Sequence, residues 1–441
     1  MAQTRADSVR SMMGDVLAGR ISRREMVKRS TAIDISAPVI ASMMHTTTRK
    51  AMAAGDLEIF SWWTSVSESS ALDALIADFA AVHPDVIVVN TSVAGSASAQ
   101  TVLLARLQAE DLPDSWLVHS GRELFNLYVD AAFCEPVTAL YTSEGLTVAI
   151  PQALIDQVTV DGEQYAIPVG VHRGNTFWYN KDVMATAGVE VGETLSVEEF
   201  LAAAEKIKAA GMPALALGDK DAFVSPQTLE NTLLGTLGAD GYNGLWDGTT
   251  AWDSAEVAEA IEVFDTMLGY INEDHAALSW DGATSLVIEG KAGFNTMGDW
   301  AYGEVIAKSA QDKIGYVSHP GTESGFVLVV DCFTLPTGAP NVENATNWLK
   351  VCGSISGQEA FNPLKGSIPA RTDVDATKFN DYQKWSIENF STASLVPSLA
   401  HGSAASPAFK QSMYDAVNAY VTDLDAAVLV STLQDAVAAE A

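Results

Sequence analysis

The most constraining feature of this sequence is the stretch Leu57–Glu68, which reads LEIFSWWTSVSE. Its first four residues are rich in β-formers and predict a short strand. Apolar residues then recur at helical spacing from Leu72 to Phe79, which predicts a helix. Ser70, with Asp73 three residues later, is the candidate cap of that helix. A strand that leads directly into a helix is typical of α/β folds.

Two adjacent tryptophans, Trp62 and Trp63, follow this strand, and Glu68 lies in the polar loop beyond them. Neighbouring residues on a strand point to opposite faces, so both indoles cannot enter one core if the strand continues. One interpretation is that one tryptophan is buried and the other is partly exposed. The other interpretation is a ligand site, because open α/β sheets bind ligands at the carboxyl ends of their strands.

The remaining chain alternates short strands with amphipathic helices. The helix expected over 196–211 has a capping box formed by Ser196 and Glu199. The apolar run Phe326–Val330 is typical of a strand that is buried on both faces. This rhythm predicts an α/β protein with mostly parallel sheets flanked by helices, and the length of 441 residues indicates two domains.

Charge is distributed unevenly along the chain. Residues 1–55 hold 9 Lys and Arg against 4 Asp and Glu, whereas the rest holds 16 against 52. Such an acidic body repels nucleic acids and anionic membrane surfaces, so we exclude both as partners. The three cysteines, Cys134, Cys332 and Cys352, lack metal-ligand spacing and allow at most one disulfide. Buried free thiols are expected, and a Cys332–Cys352 pair stays open.

The basic N-terminal segment has the pattern of an export signal. A twin arginine, Arg23-Arg24, precedes an apolar stretch over 31–44, and Ala51-Met52-Ala53 supplies small residues for cleavage. We therefore predict a leader over 1–55 that directs export through a twin-arginine signal. No later run reaches the 18 or so apolar residues that a membrane span requires.

Several polar or aromatic residues stand where a strand or a turn is expected to end. Asp331 directly follows the Phe326–Val330 strand, and Trp280 and Trp300 fall in predicted turns. Lys365 precedes a Gly-Ser-Ile-Pro turn, and His401 lies between apolar segments. Each of these residues taken alone has an ordinary structural explanation, such as a core tryptophan or an aspartate that bonds its own turn.

Six segments, taken together and in order, resemble those of a known family. They are Phe60–Trp63, Pro113–His119, Tyr242–Gly248, Met297–Trp300, Phe361–Arg371 and Pro397–Gly402. From Leu57 onward the chain is similar to the extracellular sugar-binding proteins of ATP-driven (ABC) importers, in particular to the glucose- and mannose-type receptors. The likeness covers nearly the whole chain beyond the leader.

This resemblance implies the two-lobed periplasmic-binding-protein fold, in which a hinge lets two α/β lobes close over a sugar. The implied lobes comprise 56–168 with 319–363, and 169–318 with 364–441. The chain would cross between them near 168–172, 317–321 and 362–368. The implied partners are a sugar and a membrane permease, and the protein is expected to be a monomer without cofactor or metal.

Position by position, the resemblance implies nine sugar contacts: Trp62, Trp63, Glu68, His119, Trp280, Trp300, Asp331, Lys365 and His401. Their chemistry suits a pyranose, which offers apolar faces to indole rings and hydroxyls to charged or polar groups. No catalytic residue is implied.

One position departs from the family pattern and leaves the ligand open. Leu117 stands where glucose receptors of this kind commonly carry glutamine, so another hexose, a disaccharide or a polyol remains an alternative. A glycoside hydrolase using Glu68 and Asp331 is a further alternative. Against it, the neighbouring Lys365 would keep a nearby acid ionised.

Overall fold

The structure, a computed structural model, describes residues 55–440. Its strands are β1 (Leu57–Ser61), β2 (Val88–Ser92), β3 (Ser115–His119), β4 (Cys134–Glu135), β5 (Thr159–Val160), β6 (Glu163–Gln164), β7 (Ala166–Arg173), β8 (Thr176–Asn180), β9 (Leu215–Ala216), β10 (Phe294–Thr296), β11 (Ile314–Ser318), β12 (Gly325–Pro336) and β13 (Ser394–Pro397). The predicted leader over 1–55 lies almost wholly outside the described residues.

The α-helices of the described range are α1 (Val66–Val82), α2 (Ser96–Gln108), α3 (Arg122–Leu124), α4 (Thr138–Ser143), α5 (Leu146–Ala149), α6 (Gln152–Asp156), α7 (Lys181–Ala187), α8 (Val197–Ala209), α9 (Val224–Asn243), α10 (Ala255–Leu268), α11 (Trp280–Ile288), α12 (Trp300–Ala307), α13 (Val342–Cys352), α14 (Ile355–Lys365), α15 (Asp381–Thr392), α16 (Pro407–Asp423) and α17 (Ala426–Glu440). A kink at Gly238 interrupts α9. A π-helical turn follows α3 at Phe125–Val129, and 3-10 turns occur at His275–Ala277 and Ala376–Lys378.

The α/β class is confirmed, but the prediction of mostly parallel sheets is wrong. The first sheet has the order β13-β12-β3-β1-β2, and β12 also pairs with β4 and β7. In it β1 runs parallel to β2 and β3, whereas β12 runs antiparallel to β3, β4 and β7. The second sheet, β11-β8-β10-β9, is also mixed, since β8 is antiparallel to both neighbours.

The path of the chain explains the antiparallel pairs around β12. Strand β7 carries the chain out of the first sheet toward β8, and β12 brings it back after β11. The two long strands lie side by side, so the outgoing and returning segments run in opposite directions.

Buried apolar side chains form three clusters. The first lies on the large sheet under α1, α13 and α14, and the second surrounds the smaller sheet. The third is helical and joins α9, α10, α16 and α17, an arrangement that the sequence did not predict. The boundaries of the two lobes remain a prediction.

The helix after the tryptophans begins earlier than predicted. Ser65, not Ser70, is its N-cap, and the Ser65 hydroxyl accepts a hydrogen bond from the Glu68 N–H at 3.3 Å. The Glu68 carboxylate in turn accepts from the Ser65 N–H at 3.2 Å, which completes a capping box. The predicted capping box of Ser196 and Glu199 on α8 is confirmed. All three cysteines are buried and free, so Cys332 and Cys352 do not pair.

A buried ion pair fastens β1 to α2 beside the first core. The Arg106 guanidinium donates to both carboxylate oxygens of Glu58, at 2.9 and 3.1 Å. Arg106 is 2% exposed and Glu58 is 3% exposed. Bidentate geometry of this kind compensates much of the cost of removing both charges from water.

We expect Arg106→Ala to lower the free energy of unfolding by about 3–5 kcal/mol, because the substitution removes the bidentate cationic partner of a buried carboxylate. Urea unfolding monitored by circular dichroism measures the effect. Lys350→Ala is the control, since Lys350 forms a partly exposed pair with Glu144 at 3.9 Å and should change stability by less than about 1 kcal/mol. Equal losses in both variants would contradict the assigned role of the buried pair.

Candidate ligand-binding site

All nine side chains singled out from the sequence line one cavity of about 280 Å³. The cavity opens at the carboxyl ends of β1 and β3, beside β12, and the N-termini of α11 and α12 face it. Residues separated by more than 300 positions therefore meet at one place. Their role as ligand contacts remains a proposal.

The two adjacent tryptophans have different environments. Trp63 is 1% exposed and packs on Phe361, with ring centroids 4.9 Å apart, and on Phe333 at 5.8 Å. Trp62 is half-buried, and its ring lies 4.8 Å from the ring of His119. One indole is thus part of the core and the other is partly exposed, yet both line the cavity.

Trp280 and Trp300 form the opposite wall of the cavity. Each is the first residue of a helix, α11 and α12 respectively, which corrects their assignment to turns. The ring of Trp300 lies 5.1 Å from that of His401 and 5.5 Å from that of His172. Trp280 is half-buried, lines the cavity and packs against the second core.

Glu68 and Lys365 form a buried pair at the floor of the cavity. The Lys365 ammonium donates to Oε1 of Glu68 at 3.3 Å and lies 5.7 Å from the centre of the Trp63 ring. The other carboxylate oxygen, Oε2, accepts from the N–H groups of Thr64 and Ser65. Glu68 therefore caps α1 and orients the lysine with the same side chain.

Asp331 lies inside β12, which continues to Pro336, so the prediction that the strand ends before it is wrong. The register against β7 shifts between Asp331 and Cys332, which marks a β-bulge at this point. Bulges bend a strand and redirect its side chains, and they are common beside functional sites. An irregularity within a strand leaves no signal in the apolar pattern of the sequence.

The environment of Asp331 keeps its carboxyl ionised. Its Oδ2 lies 3.0 Å from His172 Nε2, and its Oδ1 lies 3.7 Å from His119 Nε2. Burial alone would raise the pKa of Asp331, but the His172 hydrogen bond and the charges of His172 and Lys365 lower it to about 2. At neutral pH this group is a hydrogen-bond acceptor and not an acid.

Buried carboxylates that the sequence did not reveal orient the two predicted histidines. Glu123 accepts from the His119 backbone N–H at 3.0 Å and lies 3.1 Å from its ring Nδ1. Glu230 accepts from the hydroxyl of Ser398, whose oxygen lies 2.9 Å from His401 Nδ1. Because that hydroxyl proton goes to Glu230, Ser398 accepts from Nδ1 and leaves Nε2 of His401 as an acceptor.

His401 is neutral at physiological pH. Burial, together with the nearby His119 and Lys410, lowers the pKa of His401 well below its ordinary value. A neutral imidazole in a fixed tautomer suits recognition of an uncharged hydroxyl.

The structure also corrects the role given to Leu117. This side chain is fully buried in the first core and does not line the cavity. It therefore makes no direct contact with a ligand in the cavity. His172, in contrast, lines the cavity although the sequence gave no reason to choose it.

The glycoside-hydrolase alternative requires one carboxyl that is protonated and donates to the leaving group. Asp331 does not meet this requirement, because its pKa is lowered to about 2. Glu68 already accepts three hydrogen bonds, one of them from Lys365. Neither of the two carboxylates named for that alternative is therefore the proton donor that it requires.

Comparison with known proteins places the chain. The sequence profile described as bacterial extracellular solute-binding protein matches residues 74–387. An uncharacterised ABC transporter extracellular-binding protein of Pyrococcus horikoshii is 33% identical over 84% of this chain and 84% of its own. The xylose/arabinose-binding protein of Haloferax volcanii is 28% identical over 80% of this chain and 77% of its own.

A solved structure supports the same fold. The bacterial solute receptor AcbH, described as having an exclusive preference for β-D-galactopyranose, superposes with a TM-score of 0.77 at 18% identity. The match covers 87% of this chain and 98% of the receptor. None of the helices within residues 55–440 combines the length and the apolar character needed to span a bilayer.

The profile match over residues 74–387 and the 33% identity to the Pyrococcus horikoshii protein show that the chain belongs to the family of bacterial extracellular solute-binding proteins, which are not enzymes.

Proposed function

We propose that this protein binds one monosaccharide in the cavity and delivers it to the membrane permease of an ABC importer. The observation that carries the proposal is the meeting of four tryptophans with Asp331, Lys365 and two histidines in a single cavity. One relative whose name specifies xylose and arabinose supports a sugar ligand, and a solved neighbour is described as preferring a galactopyranose.

The size of the cavity favours one sugar ring. An apolar cavity of about 150 Å³ holds benzene, so 280 Å³ corresponds to roughly eleven non-hydrogen atoms. A pentose or hexose has roughly ten to twelve such atoms, whereas a disaccharide has about twice as many. A disaccharide would therefore extend from the cavity into its open mouth, and glucose stays one candidate among pentoses and hexoses.

The wall and floor of the cavity supply complementary chemistry. Trp62 and Trp300 offer indole faces for the apolar side of a sugar ring at little cost in conformational entropy. Asp331 accepts from hydroxyls and Lys365 donates to them, and a hydrogen bond to a charged group contributes about 1.5–3 kcal/mol. Two such bonds are enough to determine selectivity among sugars of one size.

The ligand contacts lie on both apolar cores, so we expect the two lobes to close when a sugar binds between them. Trp63 belongs to the first apolar core and Trp300 to the second, so a sugar touching both walls favours the closed arrangement. Ser67 of α1 and Glu304 of α12 already connect the two cores. The N–H and hydroxyl of Ser67 donate to Oε1 of Glu304 at 3.1 and 2.7 Å. The permease would recognise the closed form.

The proposed function also implies where the protein acts. A protein that feeds an importer acts outside the cytoplasm, and the twin-arginine pattern at Arg23-Arg24 is our candidate for the signal that exports it. We propose that it acts as a monomer.

We expect Asp331→Asn to weaken sugar binding about 10- to 100-fold, because the amide keeps the shape but removes a charged acceptor. Isothermal titration calorimetry measures the Kd, and circular dichroism verifies folding. Asp247→Asn removes an exposed turn carboxylate and should leave the Kd unchanged. A folded Asp331→Asn protein with the wild-type Kd would place the sugar elsewhere.

We expect Glu304→Ala to weaken binding about tenfold although Glu304 does not line the cavity. In the variant, the N–H and hydroxyl of Ser67 would be buried in the closed form without their acceptor. Calorimetry gives the Kd, and small-angle X-ray scattering records the decrease in radius of gyration on sugar addition. Glu289→Ala, an exposed change near the end of α11, is the control. An unchanged Kd and scattering response would show that this contact is independent of closure.

A further inference from the structure

His172 lies between two buried carboxylates at the end of β7. Its Nδ1 contacts Oδ1 of Asp299, and its Nε2 lies 3.0 Å from Oδ2 of Asp331. The imidazole is 1% exposed, and its ring also meets the Trp300 ring edge-on at 5.5 Å. One side chain thus contacts two of the nine cavity residues and the N-cap of the helix that carries Trp300.

We propose that His172 is a positioning residue for the ligand and acts as an imidazolium that ties Asp331 to the helix bearing Trp300. The proposal rests on the proposed function, because it assumes that Asp331 and Trp300 contact the sugar. Beyond that function, the proposal assigns to the positive charge of His172 the role of holding Asp331 and Trp300 in a fixed relative position across the cavity.

The geometry favours protons on both ring nitrogens. A neutral imidazole has one donor and one acceptor nitrogen, whereas His172 directs both nitrogens at carboxylate oxygens. An unprotonated nitrogen would place its lone pair against a carboxylate oxygen. Oδ2 of Asp299 accepts the Arg173 backbone N–H at 3.0 Å, which turns Oδ1 toward His172. Burial raises the pKa of Asp299, whereas His172 and this N–H favour its ionised form.

The charges around His172 favour the same state. Burial would lower the pKa of His172, and Lys365 of α14 acts in the same direction. Asp299, the N-cap residue of α12, and Asp331 of β12 oppose both effects and raise the pKa of His172 above its ordinary value. On β7 itself the neighbour is Arg173, whose guanidinium donates to Ser318 and Gly325 and not to His172. His401 lies nearby as a neutral ring.

The arrangement has a consequence for selectivity. Oδ2 of Asp331 is occupied by His172, while Oδ1 points toward His119 at the longer distance of 3.7 Å. The Asp331 carboxylate therefore offers Oδ1 to a ligand, and it accepts a hydrogen bond from a sugar hydroxyl on one side only. A site built to bond a hydroxyl at one position rejects the epimer that lacks it there.

Affinity should depend on pH with a defined sign. Because the pKa of His172 is raised, its imidazolium persists to higher pH than that of an ordinary histidine and is lost as the pH rises through that pKa. Above it, a ring nitrogen loses its proton to solvent and faces a carboxylate without a donor. We expect the sugar Kd of the full-length wild-type protein to rise at alkaline pH.

The test compares His172→Gln with His275→Gln in the full-length chain, by calorimetric titration with the tightest-binding monosaccharide from pH 6 to 10. Glutamine retains one donor but no charge, so His172→Gln should weaken binding about 10- to 100-fold and abolish the alkaline step. His275 pairs with Asp219 at 2.9 Å outside the cavity, so its variant should keep the wild-type profile.

A second measurement separates a positioning role from a purely structural one. Nitrogen-15 spectra of the histidines in sugar-free wild-type protein at neutral pH should show both His172 ring nitrogens protonated. Asp299→Asn should move the alkaline step to lower pH, and this variant serves if His172→Gln does not fold. A neutral His172 ring, or a folded His172→Gln protein with the wild-type Kd and pH profile, would overturn the inference. Absence of sugar binding by the wild type would instead overturn the proposed function, and the spectra would still determine the state of His172.

Discussion

The cavity depends on a buried chain of hydrogen bonds that runs from Asp299 through His172 to Asp331. Buried polar and ionised groups are costly unless each one is hydrogen-bonded, and these three side chains satisfy one another where β7 and β12 lie side by side. Asp299 is the N-cap residue of α12, so the same chain connects Asp331 to the helix that begins with Trp300. The buried ammonium of Lys365 adds a positive charge that also favours the ionised form of Asp331.

Much of the site could be predicted because its signals are local or carried by several long segments. The Trp62-Trp63 pair, the capping box at Ser196 and the α/β rhythm are readable from neighbouring residues alone. The similarity of six ordered segments selected nine side chains, and all nine line one cavity. Nothing in composition or periodicity would have brought Trp62 and His401 together.

The features that the sequence did not reveal depend on contacts between distant residues. The direction of β12 follows from the route of the chain through the second sheet, and the bulge at Asp331 follows from its pairing with β7. Glu123, Glu230 and His172 orient site residues through buried hydrogen bonds, so nothing distinguishes them locally from ordinary charged residues. Leu117 is the opposite case: the resemblance connected this position with the choice of ligand, but its side chain lies in the core.

The most direct test of the account is calorimetric titration of the full-length protein with single sugars, namely xylose, arabinose, glucose, galactose and mannose, with maltose as a disaccharide comparison. A cavity for one sugar ring requires saturable binding of at least one monosaccharide at one site per chain, with weaker or no binding of maltose. Tight binding of maltose alone would contradict a one-ring cavity, and a folded protein that bound none of these sugars would contradict the assignment of a sugar ligand.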